Sequence, residues 1–267
     1  MPLPAPRPDG TCLVTGASSG IGRELARALA ARGLGVTLVA RREERLRALA
    51  DELAAAHGIR AEVAACDLTD ATARAGLLAA VAARGLEVDV LVSNAGITNV
   101  GRIADLDPAD EVELVRTNVE AVVDLTPRLV PGMVARGRGG VLTVASIAAF
   151  QPSPNQASYA ASKAFLLSYS DALAGELVGT GVTVTALCPG PVPTEIFARA
   201  AGGTNPVDRM PDLFWRPAEE VAGAAVEGLD RGDLHVFVGA PNRLGALAAQ
   251  HLPRLRGGLG LAARLFT

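Results

Sequence analysis

The sequence predicts an α/β fold in which helices cover both faces of a doubly wound parallel sheet. Short apolar segments typical of strands alternate with longer segments that have the periodicity of helices. Most strand segments are apolar throughout, which indicates burial on both faces, as in a parallel sheet between two layers of helices. Repeated strand–helix–strand units with right-handed crossovers build such a sheet. We therefore expect the 267 residues to form a single domain.

The first half of the chain contains four strand segments, each followed by a helical one. Gly33 and Gly58 follow the first two helices, and glycine readily takes the left-handed conformation that ends a helix. Asp107 is a possible cap for the long helix that starts at Pro108. The predicted strands are residues 11–15, 35–40, 60–65 and 88–93, and the helices before Pro108 are residues 21–32, 43–57 and 70–84.

The second half continues the alternation and ends in a segment of different composition. The predicted strands are residues 141–145, 182–187 and 235–238, and the predicted helices are residues 158–178 and 217–230. Residues 1–10 are rich in proline and lack the apolar region of a signal peptide, so we expect a loose leader. A basic C-terminal extension covers residues 241–267.

Composition excludes several classes of protein. The formal net charge of −3 argues against a nucleic-acid binder, which would be basic. No apolar run reaches the roughly 18 residues that span a bilayer, so we expect no membrane span and a location in the cytoplasm. Cys12, Cys66 and Cys188 are far apart in apolar segments, which predicts buried free thiols and no metal site.

A glycine-rich turn, residues 15–22 (TGASSGIG), follows the first strand. Ligands of doubly wound sheets bind at the carboxyl ends of the strands, and glycines let the backbone approach a pyrophosphate at the start of a helix. The glycine spacing differs from the GxGxxG fingerprint, and a tight turn without a ligand is the alternative interpretation. The candidate cofactor contacts in this turn are Gly16, Ser18, Ser19, Gly20 and Ile21.

Arg41 and Arg42 follow the second strand, where a dinucleotide-binding unit usually has an acid for the ribose 2′-hydroxyl or an arginine for a 2′-phosphate. A guanidinium pairs well with a phosphate, so the two arginines favour NADP(H) over NAD(H). The alternative is a solvated helix start, although positive charge is unfavourable there. Further candidates after the third and fourth strands, each of which alone could be an ordinary cap or turn, are Asp67, Leu68, Asn94, Ala95 and Gly96.

Ser146 follows the fifth strand, and Tyr159 and Lys163 stand further along the chain in the segment YAASK. Residues four apart share one face of a helix, and a cation beside a phenol lowers the pKa of the phenol. Tyr159 would then suit proton transfer at neutral pH, with Ser146 bonding a substrate oxygen. The alternative is a tyrosine and a lysine on an exposed helix face.

Together these motifs resemble those of the short-chain dehydrogenase/reductase family over roughly residues 10–240. The family's TGxxxGIG is matched by residues 15–22, its NNAG by Ser93-Asn94-Ala95-Gly96 with serine for the first asparagine, and its PGxVxT by residues 189–194. The resemblance implies a Rossmann-type fold, a seven-stranded parallel sheet in the order 3-2-1-4-5-6-7, and a homodimer or homotetramer.

The resemblance also implies roles for four catalytic residues. Tyr159 would protonate the developing alkoxide, and Lys163 would lower the pKa of Tyr159 and hold the nicotinamide ribose. Ser146 would orient and polarise the carbonyl. Asn118, in the segment Thr117-Asn118-Val119, would anchor a water that links Lys163 to solvent.

The remaining implied roles concern the cofactor. Asp67 would meet the adenine and Asn94 the adenosine ribose region. Ser19 stands where some members of the family have a basic residue, so Arg41, together with Arg42, would select the 2′-phosphate. The motif after the sixth strand adds the candidate cofactor contacts Pro189, Gly190, Val192 and Thr194, of which Val192 and Thr194 would meet the carboxamide.

The substrate is less defined, because the evidence is only an enrichment of apolar residues. Residues 191–216 are expected to form a flap over the substrate, with a hinge at Gly202-Gly203, and contain Phe197, Phe214 and Trp215. This favours a lipophilic carbonyl or alcohol, although the same side chains could pack the flap onto the body or form a subunit contact.

Two further questions stay open on the sequence. The C-terminal extension is a subunit arm or pocket cap, a membrane-surface helix, or a frayed tail. A nucleotide-sensing regulator and an epimerase or dehydratase are the alternatives to a reductase. The complete catalytic set argues against the regulator, and the glycine spacing and the chain length argue against the epimerase or dehydratase.

Overall fold

The computed structural model describes residues 3–196 and 210–251, with side chains up to residue 249. Its strands are β1 (Gly10–Thr15), β2 (Val36–Ala40), β3 (Ala61–Ala65), β4 (Glu87–Ser93), β5 (Gly139–Val144), β6 (Val182–Leu187) and β7 (His235–Val236). Its α-helices are α1 (Gly20–Ala30), α2 (Glu43–His57), α3 (Ala71–Ala83), α4 (Pro108–Val115), α5 (Ala121–Ala135), α6 (Ala157–Glu176), α7 (Ala218–Arg231) and α8 (Ala240–His251).

The seven strands form one sheet in the order β3-β2-β1-β4-β5-β6-β7, and every neighbouring pair is parallel. The predicted fold and strand order are confirmed. The predicted strands and helices are present with small shifts at their ends, and Asp107 caps α4 by accepting a 2.8 Å hydrogen bond from the Ala109 N–H. The helix α8 lies mostly in the C-terminal extension, for which a helix is one of the three alternatives that the sequence leaves open.

Two apolar clusters sandwich the sheet and make the three layers. Leu13 and Val14, neighbours in β1, belong to opposite clusters because successive side chains of a strand point to opposite faces. Leu25 of α1 lies in the first cluster and Leu125 of α5 in the second. The three cysteines are buried free thiols, as predicted. This packing fixes the carboxyl ends of the strands relative to one another.

The first residues are not a loose leader, and that expectation is wrong from residue 3 onward. The Leu3 N–H donates a 2.8 Å hydrogen bond to Asp230, and the guanidinium of Arg7 lies 2.7 Å from a carboxylate oxygen of Asp89. The Asp89 side chain is 4% exposed, and a buried carboxylate needs a partner. Residues 3–10 are therefore attached to the body of the protein, and Arg7 supplies the nearest cation to Asp89.

The long helix behind Pro108 contains one irregular turn. Residues Arg116–Glu120, between α4 and α5, form a π-helical turn, and Asn118 lies inside it with its side chain fully buried. Single π-turns are rare and concentrate at functional sites. The turn places Asn118 beneath the carboxyl end of the sheet.

The first part of the C-terminal extension is a packed helix. Asn242 of α8 is buried, and its amide donates to the carbonyl oxygens of Phe214 (3.0 Å) and Val238 (2.8 Å). The frayed-tail alternative is thus wrong for this part of the extension. Its later arginines, Arg254, Arg256 and Arg264, lie outside the described residues. Phe197 and Gly202-Gly203 of the expected flap also lie outside them. Among the helices of the described ranges, none combines the length and apolarity that crossing a bilayer requires.

Candidate active site

The carboxyl ends of the strands open into one cavity of about 490 Å³. This size is ordinary for a pocket that takes a small molecule or a cofactor. The structure brings nearly all of the predicted site residues to its wall: Gly16, Ser18, Ser19, Gly20, Ile21, Arg41, Arg42, Asp67, Leu68, Asn94, Ala95, Gly96, Ser146, Tyr159, Lys163, Pro189, Gly190, Val192 and Thr194. Asn118 is absent from the lining and lies just behind it.

The glycine-rich turn has a backbone that only glycine adopts without strain. Gly16 and Gly20 have φ angles of +69° and +55°. A β-carbon on Gly22 would lie 2.4 Å from the carbonyl oxygen of Gly16, so glycine is required there for close packing. Ser19 precedes α1 and makes no side-chain capping bond, which leaves the first N–H groups of α1 without that partner. Such an end is an anion site.

Thr15 and Asn94 lock the turns after β1 and β4 together. The Thr15 hydroxyl accepts hydrogen bonds from the N–H groups of Asn94 (2.9 Å) and Ala95 (3.0 Å), and donates to Val92. The Asn94 amide donates back to the Thr15 carbonyl at 2.8 Å. The described contacts of Asn94 are therefore structural, and its contact with a ribose stays a prediction.

The two arginines after β2 diverge. Arg42 precedes α2, and its guanidinium donates to the hydroxyls of Ser18 (2.9 Å) and Ser19 (2.8 Å), so it lies over the glycine-rich turn. Arg41 points the other way and pairs with Glu113 of α4 at 3.2 Å. The structure therefore places Arg42, rather than Arg41, beside the turn.

Asp67 lies at the cavity wall after β3. Hydrogen bonds from the Thr69 N–H and hydroxyl hold the pKa of its carboxyl below the ordinary value, so Asp67 is an anion near neutral pH. The carbonyl oxygen of the next residue, Leu68, accepts a 2.6 Å hydrogen bond from the guanidinium of the buried Arg74. This loop is rigidly held at the place where an adenine is expected.

Ser146, Tyr159 and Lys163 converge at the other end of the cavity. Ser146 caps the short 3-10 turn that follows β5, and it forms a hydrogen bond with the Tyr159 hydroxyl. Tyr159 and Lys163 share the buried face of α6, with the Lys163 ammonium 5.7 Å from the centre of the Tyr159 ring. The exposed-face alternative is therefore wrong.

The expected lowering of the Tyr159 pKa is not seen in this structure. Burial raises the pKa of the phenol, and the hydrogen bond with Ser146 acts in the opposite direction. Lys163 donates its 2.8 Å hydrogen bond to the carbonyl oxygen of Val144. Burial lowers the pKa of its ammonium to about 8. Desolvation is thus the largest influence on the pKa of both groups.

Asn118 is held on all sides. Its amide donates to the Ile97 carbonyl (3.0 Å) and to the Ser162 hydroxyl (3.0 Å), and its carbonyl oxygen accepts from the Ile97 N–H at 2.9 Å. A β-carbon on Gly96 would lie 3.4 Å from Asn118 Oδ1 and 3.5 Å from Lys163 Nζ. The glycine therefore leaves open the space that these two polar atoms share.

Three residues that the sequence interpretation missed belong to this region. Glu195 forms ion pairs with both Arg42 and Arg45 across the cavity mouth. Glu111 accepts from the Asn99 amide and from the hydroxyl of Ser158, the neighbour of Tyr159. The spacing of Arg42 and Arg45, three residues apart, could have indicated a shared face. No local pattern indicates the two glutamates.

Comparison with known proteins agrees with this arrangement. The family model for short chain dehydrogenase matches residues 10–203. A short chain dehydrogenase of Pseudocercospora fijiensis is 41% identical over 70% of this chain, which covers 61% of that relative. An uncharacterized oxidoreductase of Myxococcus xanthus is 38% identical over 85% of this chain and 86% of its own length.

A solved structure has the same fold over nearly the whole chain. The short-chain dehydrogenase from Sphingobium yanoikuyae in complex with NADPH superposes with a TM-score of 0.79 at 32% identity, covering 94% of this chain and 95% of that one.

Proposed function

The chain belongs to the short-chain dehydrogenase family, and we propose that it transfers a hydride between NADP(H) and a carbonyl/alcohol pair, with Tyr159 as the acid–base residue. The observation that carries the proposal is the convergence of Ser146, Tyr159 and Lys163 at one end of the cavity that the glycine-rich turn closes at the other. Bound NADPH would supply the hydride, and the protein supplies the proton and the positioning.

The cavity suits a dinucleotide phosphate. The uncapped start of α1 and the open backbone of the glycine-rich turn offer N–H groups for a pyrophosphate. Arg42 adds a cation above Ser18 and Ser19, which favours a 2′-phosphate over a bare hydroxyl. The similar structure from Sphingobium yanoikuyae binds NADPH, which supports the same choice here.

In the reductive direction, Ser146 donates a hydrogen bond to the substrate oxygen, and the Tyr159 hydroxyl donates its proton to that oxygen as negative charge develops. The raised pKa of Tyr159 keeps the phenol protonated at neutral pH, which is the form that this step needs. Lys163, with a pKa of about 8, can then return a proton to the site near neutral pH.

A lipophilic substrate is the second part of the proposal. Ile97 and Ile196 line the cavity. Phe150, the last residue of the 3-10 turn that follows Ser146, has its ring 5.6 Å from that of Phe237. The segment 191–216 would cover this end as a flap. Apolar walls with a few convergent polar groups are typical of sites for lipophilic small molecules.

We also propose that the protein forms a homodimer or homotetramer and is located in the cytoplasm. Val112, Val115 and Phe165 on α4 and α6 are exposed apolar side chains, in keeping with a homodimer or homotetramer. Light scattering of the purified protein would measure the mass directly. The three buried free thiols suit the reducing cytoplasm.

The test is a panel of ketones and alcohols followed through NADPH absorbance, with Tyr159→Phe as the decisive variant. We expect Tyr159→Phe to lower turnover by about a thousandfold while NADPH still binds. The matched control is Tyr169→Phe, because Tyr169 is the other tyrosine of the chain and stacks on Phe165 away from the cavity. Near-wild-type turnover of Tyr159→Phe would disprove the mechanism.

A further inference from the structure

One carboxylate sits between two arginines at the mouth of the cofactor cavity. Glu195 Oε2 lies 2.6 Å from Arg42 Nη1, and Glu195 Oε1 lies 2.8 Å from Arg45 Nη1. The same Arg42 guanidinium also donates to the hydroxyls of Ser18 and Ser19. Two guanidinium groups therefore hold a single internal anion, and one of these groups also bonds two hydroxyls of the glycine-rich turn.

This donor set is also the one that binds a phosphate monoester. Arginine forks match phosphate oxygens as well as carboxylate oxygens, and hydroxyls of a glycine-rich turn add neutral hydrogen bonds. Hydrogen bonds from Arg42 and Arg45 hold the pKa of Glu195 at about 2, so the carboxylate stays charged at every working pH. A second anion can occupy the same donors only if Glu195 leaves them.

Glu195 belongs to the other side of the cavity. It follows Thr194, whose side chain packs against Gly20, and it lies near the start of the segment 191–216. That segment is closed at its base by a 3.2 Å hydrogen bond from the Arg216 N–H to the Pro191 carbonyl. The ion pairs of Glu195 thus tie the start of the expected flap to α2.

We propose that Glu195 is a specificity-determining residue that competes with the 2′-phosphate of NADP(H) for Arg42 and Arg45. The inference rests on the proposed function and goes beyond it by naming the internal competitor. NADH has no 2′-phosphate and leaves the ion pairs of Glu195 in place.

The size of the effect follows from the competition. The apparent affinity for the phosphate falls by the fraction of molecules in which Arg42 and Arg45 are free. A single exposed ion pair is weak. Two pairs that share one carboxylate should lower the apparent affinity for the phosphate by about threefold to tenfold.

The experiment titrates the full chain with adenosine 2′,5′-bisphosphate and with adenosine 5′-monophosphate by calorimetry, and with NADPH and NADH by fluorescence. The variant is Glu195→Gln, which keeps the shape of the side chain and removes its charge. The matched control is Glu43→Gln: Glu43 lies next to Arg42 in sequence, but it pairs with Arg47. This control measures the general effect of removing one negative charge nearby.

We expect Glu195→Gln to bind NADPH and the bisphosphate about threefold to tenfold more tightly than wild type, with NADH and the monophosphate changed less than about twofold. Glu43→Gln is expected to change all four affinities by similar small factors. Equal behaviour of the two variants, or an equal gain for the ligands without a 2′-phosphate, overturns the role of Glu195.

The adenosine nucleotides separate this inference from the proposed function. They carry no nicotinamide, so a selective gain for the bisphosphate supports the competition even if no ketone is reduced. If wild type reduces ketones with NADPH while Glu195→Gln shows no selective gain, the competition is overturned and the proposed function stands.

Discussion

The ammonium of Lys163 donates a 2.8 Å hydrogen bond to the carbonyl oxygen of Val144, the last residue of β5. Lys163 is the only lysine in the sequence, and its side chain is 3% exposed. A charged amine is thus held inside the protein by the strand that also delivers Ser146. Its titration can be observed without interference from any other lysine.

We predict that Lys163 titrates near pH 8 in the free enzyme, because burial lowers the pKa of its ammonium to about 8. Incorporation of lysine labelled with ¹³C at Cε gives one signal, whose shift against pH measures the pKa directly. A midpoint near the ordinary value of about 10.4 would contradict the prediction.

The same pKa has a consequence for stability. Since the unfolded chain keeps the ordinary pKa, it binds more protons than the folded one between pH 8 and about 10.4, and wild-type stability rises with pH across this window. Lys163→Met removes the buried charge and is expected to raise the free energy of unfolding by about 2 kcal/mol at pH 7, after the loss of its hydrogen bond.

This gain should be full below pH 8 and turn into a loss of about 1 kcal/mol above about pH 10.4, where only the missing hydrogen bond counts. Thermal or urea unfolding at pH 7 and at high pH measures it. The control is Leu166→Met, a buried change on the same helix, whose effect on stability should not depend on pH. A loss of stability for Lys163→Met at pH 7 would refute the argument.

Arg42→Ala should raise the KM for NADPH by about tenfold to a hundredfold and change that for NADH little, because a charge-assisted hydrogen bond to the 2′-phosphate is lost. Steady-state kinetics with the two cofactors measure both constants. Arg47→Ala is the control, an exposed arginine of α2 that pairs with Glu43. An equal effect on the two cofactors would show that Arg42, which lies over Ser18 and Ser19, has no part in phosphate selection.

Arg74→Met should destabilise the fold by about 3 kcal/mol. The Arg74 side chain is 2% exposed and bonds Asp124 and Glu120 besides the Leu68 carbonyl, so its removal leaves the partly buried Asp124 without its main cation. Arg128→Met is the matched control, because Arg128 pairs with the same Asp124 from an exposed position and should cost less than about 1 kcal/mol. Urea unfolding compares the two, and similar losses would contradict the assignment.

Much of the fold and of the candidate site can be predicted from short segments of the sequence. The glycine-rich turn and the pair Tyr159–Lys163 are encoded within a few residues, and the sheet order came from the resemblance that these motifs carry. Because strand ends of a parallel sheet meet at one edge, residues directly after the strands could be assigned to one cavity before any contact was known.

The features that the sequence did not indicate depend on residues far apart in the chain. Arg7 pairs with Asp89, which is 82 residues away in the sequence, and Arg45 pairs with Glu195, which is 150 residues away. The pKa of Tyr159 was expected to fall because a lysine lies one turn away, whereas it rises because burial, a property of the whole fold, dominates. Helical spacing predicts which residues share a face, but not how much water reaches that face.

The hydrogen bond between the Arg216 N–H and the Pro191 carbonyl has a bearing on how such a protein can diverge. This bond joins the two ends of the segment 191–216, so both ends can stay in place when the residues between them are exchanged. Doubling the length of such a loop costs only about 0.6 kcal/mol in closure entropy. New substrate preferences can therefore be acquired by replacing that stretch, while the sheet and the nucleotide-binding half are inherited unchanged.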